Sequence, residues 1–218
     1  MSPRKKKGVY YMYTCAYCKI ESCEEEKPEK FPSNCPCLDE GAVELIKDLY
    51  DEGSNKELAR IAAIVESSGY CKNTRLEEII EFARASGYKR LGIAFCIGVK
   101  EEAKILSNIL KHNGFEVESV ACKNGHIPKE FIGIQEGEKI EPGQHETMCN
   151  PIGQAAFLDK AETDLNLILC LCVGHDTLFM KYSKAPVTVF ATKDRVLGHN
   201  PMAALYLSES YHHDRLYK

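Results

Sequence analysis

Apolar positions along this chain change their period near residue 89. Before that point they recur every three or four residues, the spacing of one helical face. After it, short uninterrupted apolar runs alternate with helical stretches, as buried parallel strands and their crossovers do. Val43, Leu45, Ile46, Leu49 and Tyr50 predict a helix over 38–50 that stops near Gly53. Ser54-Asn55-Lys56-Glu57 reads as a capping box, in which the hydroxyl accepts an orphan amide and the glutamate reaches back to the cap. The helix it opens carries Leu58, Ile61, Ala62, Ile64 and Val65 and ends near Gly69. Thr74-Arg75-Leu76-Glu77 is a second box, opening a helix through Ala85 that stops at Gly87.

Apolar runs at 91–95, 115–121, 165–171 and 187–191 predict four strands. Helices are expected at 101–112, closing on Asn113-Gly114, at 151–160 behind Asn150-Pro151, at 175–182, and from Asn200-Pro201 onward. A short helix between buried strands implies parallel pairing with a right-handed crossover. Residues 123–148 hold several Gly and Pro without a long period, so they read as an excursion loop, longer than a compact domain usually keeps unless it is functional. At the front, 10–14 could form a short aromatic strand. The predicted fold is α/β: a Rossmann-like, mostly parallel sheet of about four strands with flanking helices, preceded by a small Cys-rich metal knuckle and a helical segment. The divisions are 1–37 for the Cys-rich unit, 38–88 for a helical segment packed on the core, and 89–218 for the α/β domain.

Composition narrows the function classes. Hydrophobic residues make up 44% and charged residues 28% of the 218, enough for a real core. A formal net charge of −4 argues against bulk phosphate binding, so nucleic acid is not the expected partner. Arg4-Lys5-Lys6-Lys7 reads as a solvated terminus rather than a nucleic-acid arm. No run approaches the roughly 20 apolar residues of a membrane span, and no apolar stretch follows the basic start as a secretory signal would require. The expected compartment is the reducing cytoplasm, where disulfides are rare. Eleven cysteines, an odd count, then read as metal ligands or reactive thiols.

Those thiols fall into two groups. Cys15 and Cys18 have the two-residue gap of a zinc or iron–sulfur knuckle; Cys23 and either Cys35 or Cys37 complete four ligands. The proline between Cys35 and Cys37 is expected to point their side chains apart, so only one of the two is expected to ligate the same atom. Too few apolar residues separate these cysteines to build a core, so metal is the expected staple, with zinc and iron–sulfur both open.

In the second group Cys96, Cys122 and Cys172 each close a predicted strand, and Cys149 precedes a helix start. Parallel strands deliver their carboxyl ends to one edge, where ligands bind in open α/β sheets. Helix N-termini near Cys96, Cys149 and Cys172 would favour thiolate over thiol. Cys170 sits two residues deeper than Cys172 and is assigned to packing. His175, Asp176, Lys193, Asp194 and His199 follow the third and fourth strands, an inventory of general acid or base, orienter and anion clamp. Equally, Asp176 and Asn200 could cap helices and His199 could serve a turn. Cys71, between two helices, is grouped with the metal ligands as a bridge between the two sets.

The strings GYCKNTRLEEIIEFA, GYKRLGIAFCIG, GFEVESVACK, MCNPIGQA, LCVGHDTLF and KDRVLGHNPMAALY resemble a family of cysteine-rich bacterial and archaeal proteins described only as metal-binding or as a domain of unknown function. The resemblance runs from Cys15 to about Tyr206 and implies that Cys15, Cys18, Cys23, Cys35, Cys71, Cys96, Cys122, Cys149 and Cys172 are family cysteines. Cys37 and Cys170 are less typical of it, and it implies no reaction. Two function classes follow. One is an iron–sulfur enzyme, a 4Fe-4S cluster favoured, with the cluster at the strand ends acting on a small molecule or sulfur species by sulfur transfer or desulfidation. The other is a zinc protein whose sites are structural or serve sensing or storage. A dithiol redox carrier is weaker, because only Cys15 and Cys18 have the redox spacing. The pattern leaves the oligomeric state open.

Overall fold

The computed structural model describes residues 13–25 and 27–218. The basic run at 4–7 and most of the aromatic run at 10–14 lie outside the described residues. The chain divides into two units, 1–60 and 61–218.

The first unit begins with four single-turn 3-10 helices, Cys15–Tyr17, Ser22–Glu24, Pro28–Lys30 and Pro36–Leu38. Helix α1, Glu40–Asp51, then starts on Asp39, whose carboxylate accepts from the Ala42 amide at 3.1 Å. Its apolar residues Leu45, Ile46, Leu49 and Tyr50 are exposed. Helix α2, Asn55–Gly69, lacks the predicted box, since Ser54 makes no side-chain cap bond; the Asn55 side chain donates through Nδ2 to the Leu49 carbonyl instead.

The second unit takes up α2 at Ile61. Ile61 and Val65, one turn apart, are buried. Helix α3, Arg75–Ala85, opens with the box foreseen at Thr74: the Thr74 amide donates to Glu77 Oε2 at 2.7 Å and the Glu77 amide donates to Thr74 Oγ1 at 3.4 Å. Then come β1 (Arg90–Phe95), α4 (Lys100–His112), β2 (Glu116–Ala121), α5 (Pro151–Lys160), β3 (Leu165–Leu169), α6 (His175–Tyr182), β4 (Val187–Ala191), α7 (Met202–Tyr206) and α8 (His213–Leu216).

All strand pairs are parallel, in the order β2-β1-β3-β4. The sheet of about four strands with flanking helices is therefore the architecture the pattern predicted. The two central strands are buried on both faces, with Leu91, Ile93, Leu167 and Ile168 almost wholly enclosed, which is why they read as continuous apolar runs. Helix α4 supplies Ala103, Leu106 and Leu110 to the same core. Gly92 is required where it stands, because a Cβ would meet Asn166 Oδ1 at 2.1 Å. That buried amide is bonded at both ends: it accepts from Thr163 Oγ1 at 2.8 Å and donates to Ser183 Oγ at 2.9 Å.

One strand boundary corrects the sequence reading. Strand β3 stops at Leu169, not Leu171, because Cys170 adopts φ 55°, in the left-handed region. Cys172 is thus three residues past the strand, and Cys170 occupies the strand-end position. A non-glycine residue there costs roughly 1–2 kcal/mol, which the surrounding core must offset.

Candidate functional site

The ladder register builds the site. Phe95 pairs with Ala121 on one side and Leu169 on the other. One residue further, Cys96, Cys122 and Cys170 stand in a row across three adjacent strand ends. Their amides continue the ladder: Cys96 N–H donates to Leu169 O at 3.2 Å, Cys122 to Phe95 O at 2.9 Å and Cys170 to Ala191 O at 2.8 Å. Below the row, the buried Gln154 of α5 donates its amide to both Phe95 O and Val120 O, at 3.1 and 2.6 Å, and so ties β1 to β2 just before their thiols.

Cys149 reaches the row through a second set of bonds. The Asn150 amide donates to Cys122 O at 2.7 Å, and the Asn124 side chain donates to Ala121 O and Asn150 O, both at 2.9 Å. Asn150 also caps α5, accepting from the Gly153 amide at 2.8 Å. Gly153 is obligatory, since a Cβ would lie 2.1 Å from Asn124 Oδ1. These contacts clamp the segment before α5 onto the segment after β2, and Cys149 lies against Cys122 as a result.

The electrostatics separate these two thiols. Hydrogen bonding to Cys149 and burial push the Cys122 thiol up, although the Ile97 N–H, 3.4 Å from its sulfur, pulls the other way. Cys149 receives hydrogen bonds from Cys122 and His175 and the field of Lys123, so its thiol is lowered to about 4. His175 is raised in turn, chiefly by its bond to Cys149. These bonds favour the charged forms of Cys149 and His175 and the neutral thiol of Cys122. Cys170 is buried and raised, mainly by desolvation, with Cys96 and Cys172 in electrostatic reach.

Cys172 is held from outside. Arg195 Nη2 donates to its sulfur at 3.2 Å, and the guanidinium also feels Cys96 and Cys149. Lys193 Nζ and Cys96 Sγ both approach Gly98, lying 3.6 and 3.9 Å from the point a Cβ there would occupy. The strand-end set Cys96, Cys122, Cys149 and Cys172 thus shares one edge, together with His175, Lys193 and Arg195. Two other candidates serve their own loop. Asp194 Oδ1 accepts from the Val196 and Leu197 amides at 3.0 and 2.8 Å, and the Asp194 amide donates to His199 Nδ1 at 3.1 Å. Asp176 is in electrostatic reach of His175 while accepting from the Thr177 amide at 2.7 Å in the first turn of α6.

Reading the sequence missed Lys123, Gln154 and Asn124. Lys123 had a cue in following Cys122 directly. Gln154 and Asn124 had none, because their value lies in bonds to distant carbonyls.

In the first unit, Cys15, Cys18 and Cys35 line a cavity of about 290 Å³ with Tyr17, Pro32 and Pro36. Cys37 does not point away from Cys35, as its proline had suggested. It hydrogen-bonds to Cys35, and its thiol is raised by that bond and by Cys23 and Cys15 nearby. Cys71 lies in the second unit, exposed, in the turn after α2, with φ 56°. All eleven cysteines are free thiols. Among the described residues no group of three His, Cys, Asp or Glu side chains is arranged to hold a single metal ion, and no helix is long and apolar enough to cross a membrane.

A family described as Protein of unknown function (DUF1847) matches residues 35–190, which include the whole strand-end set and exclude Cys15, Cys18 and Cys23. The chain is 46% identical over 192 residues to "Uncharacterized protein MJ0455" of Methanocaldococcus jannaschii, covering 88% of this chain and 93% of the relative. No solved structure matches it.

Proposed function

Starting from a chain that belongs to the DUF1847 family of unknown function, we propose that its strand-end edge is a cysteine-ligated iron–sulfur site acting on a small sulfur-bearing molecule. The supporting observation is the linkage among four thiols from four separate segments. Cys149 hydrogen-bonds to Cys122, Cys96 lies in electrostatic reach of Cys122, and Arg195, bonded to Cys172, lies in electrostatic reach of Cys96 and Cys149. The donor set suits a cluster better than one ion: a single zinc needs its ligands within about 2.3 Å of one centre, whereas cluster thiolates bind different irons and stand wider apart. Zinc bound by the same thiols, structural or serving sensing or storage, is the alternative.

Cys96, Cys122, Cys149 and Cys172 are the ligands in this proposal, or three of them with one iron left open. A bound cluster would supply Lewis acidity toward sulfur or oxygen. The chain's own groups do the rest: His175 keeps a proton beside Cys149, and Lys193 and Arg195 set positive charge around the thiols. In the first unit, Cys15, Cys18, Cys23 and Cys35 are proposed as a structural metal site, with Cys37 as a further donor. The test is anaerobic purification followed by an absorption spectrum and iron, sulfide and zinc analysis. Brown protein with near-equal iron and sulfide supports the proposal; colourless protein carrying zinc overturns it.

A second reading has its own observation. The Cys149–His175 pair with Cys122 alongside is the arrangement of a nucleophilic thiol, which would attack a small electrophile without metal. Metal-free protein whose Cys149 alone is rapidly alkylated at pH 6 would favour this reading over the cluster.

A further inference from the structure

The thiol edge carries cations that pair with no carboxylate among the described residues, although Glu102 lies in electrostatic reach of Cys170 as Lys193 does. Among the described residues, Lys123, Lys193 and Arg195 form no ion pair with Asp or Glu. The carboxylates nearest in sequence are spent: Asp194 holds two amides of its own turn, and Asp176 accepts from Thr177. Nor are the cations saturated by neutral partners. Lys123 uses one of three donors on Thr147 O, and Arg195 uses one nitrogen on Cys172, leaving the remaining donors of an exposed guanidinium. Lys193 is half-buried and makes no hydrogen bond among the described residues, yet its ammonium faces the gap in front of Gly98 that it shares with Cys96.

The Lys193 ammonium reaches water, and an anion arriving from solution can take that water's place within the field of neighbouring positive charges. The missing side chain at Gly98 leaves that anion room. We propose that the molecule bound at the strand-end edge is a small sulfur-bearing anion, its charged end held by Lys193 with Lys123 and Arg195, its sulfur directed at the thiol row. The inference deepens the reading of this edge as a sulfur-handling site and rests on it. Sulfur is singled out because thiolates are soft nucleophiles, and a terminal sulfur bonded to a second sulfur is a soft electrophile, which the oxygens of phosphate and sulfate are not. Phosphate and sulfate share the charge but not that atom.

Titration calorimetry on anaerobically purified protein separates these cases, with thiosulfate as the probe and sulfate and phosphate as equal-size controls. Thiosulfate is expected to bind more tightly than either control. Lys193→Met and Lys123→Met should each weaken it about tenfold, the usual effect of losing one charge-assisted hydrogen bond. Unchanged melting temperatures establish that both variants fold. No thiosulfate binding, binding equal to sulfate, or full affinity in Lys193→Met overturns the inference. Iron and sulfide measured on the same samples keep the two claims apart. Iron without thiosulfate binding sinks the anion and spares the cluster; thiosulfate binding to iron-free protein does the reverse.

Discussion

Substituting Gly98 by alanine tests the site's location without disturbing the fold. Gly98 is the middle residue of the 3-10 turn Ile97–Val99, and its φ is not in the left-handed region, so alanine fits the backbone. The new methyl would stand 3.6 Å from Lys193 Nζ and 3.9 Å from Cys96 Sγ, ordinary van der Waals contacts that require no neighbour to shift. Alanine restricts the unfolded chain, so the folded state should gain roughly 0.4–1 kcal/mol, a rise of about 1–4 °C in Tm for a unit of this size. The same methyl fills the space between ammonium and thiol where a ligand would sit. Forcing a methyl into space a bound group fills costs about 1–3 kcal/mol, on the order of tenfold to a hundredfold in affinity. Differential scanning fluorimetry, iron and sulfide content, and thiosulfate affinity are the readouts. Retained or raised Tm with lost iron or lost thiosulfate binding is expected. Retained Tm with both intact would refute the location, because nothing could then occupy the gap before Gly98.

Three further outcomes are expected. Gln154→Leu removes the amide that joins Phe95 O to Val120 O; it should destabilise the second unit by about 1–3 kcal/mol in urea unfolding and lower iron content, and an unchanged midpoint would deny Gln154 its role. In metal-free protein, iodoacetamide should alkylate Cys149 at a rate nearly constant from about pH 6 to 8, where an ordinary thiol of pKa near ~8.5 slows about tenfold per unit, and removing both lowering donors, in Cys122→Ala with His175→Ala, should restore that ordinary slope. The excursion at 123–148 should open in acid. Glu130 and Glu136 are lowered by Lys139, and Glu146 by Lys129, so these carboxylates stabilise the fold above their unfolded value of about 4.3 and cease to as pH falls through their lower folded values. Amide exchange over 129–146, corrected for intrinsic rates, should accelerate below about pH 4; undiminished protection at pH 3 would count against that ion-pair network.

The sheet was legible because β1 and β3 are buried on both faces, which leaves continuous apolar runs, and because α4 shows a single buried stripe. The strand-end thiols were legible for the same reason, since a parallel sheet sends every strand's end to one edge. The end of β3 was not. Leu171 and Cys172 prolong the apolar run, while the left-handed turn at Cys170 has no glycine or asparagine to announce it. Ser54 and Thr74 show the same limit from another side: both sequences spell a capping box, and only Thr74 forms one. Cys37 was misplaced by reasoning from proline stiffness alone, because the single 3-10 turn Pro36–Leu38 brings its sulfur back toward Cys35.

Iron and acid-labile sulfide, counted per chain after anaerobic purification, bear most directly on the central claim that soft ligands from four segments grip one inorganic centre. Near-equal iron and sulfide should be found in the natural chain. They should fall sharply in the Cys122→Ser, Cys149→Ser double variant, and the strand-end share should survive in the Cys15→Ser, Cys18→Ser variant. A natural chain free of both elements, or a Cys122→Ser, Cys149→Ser protein that keeps its full complement, would contradict it.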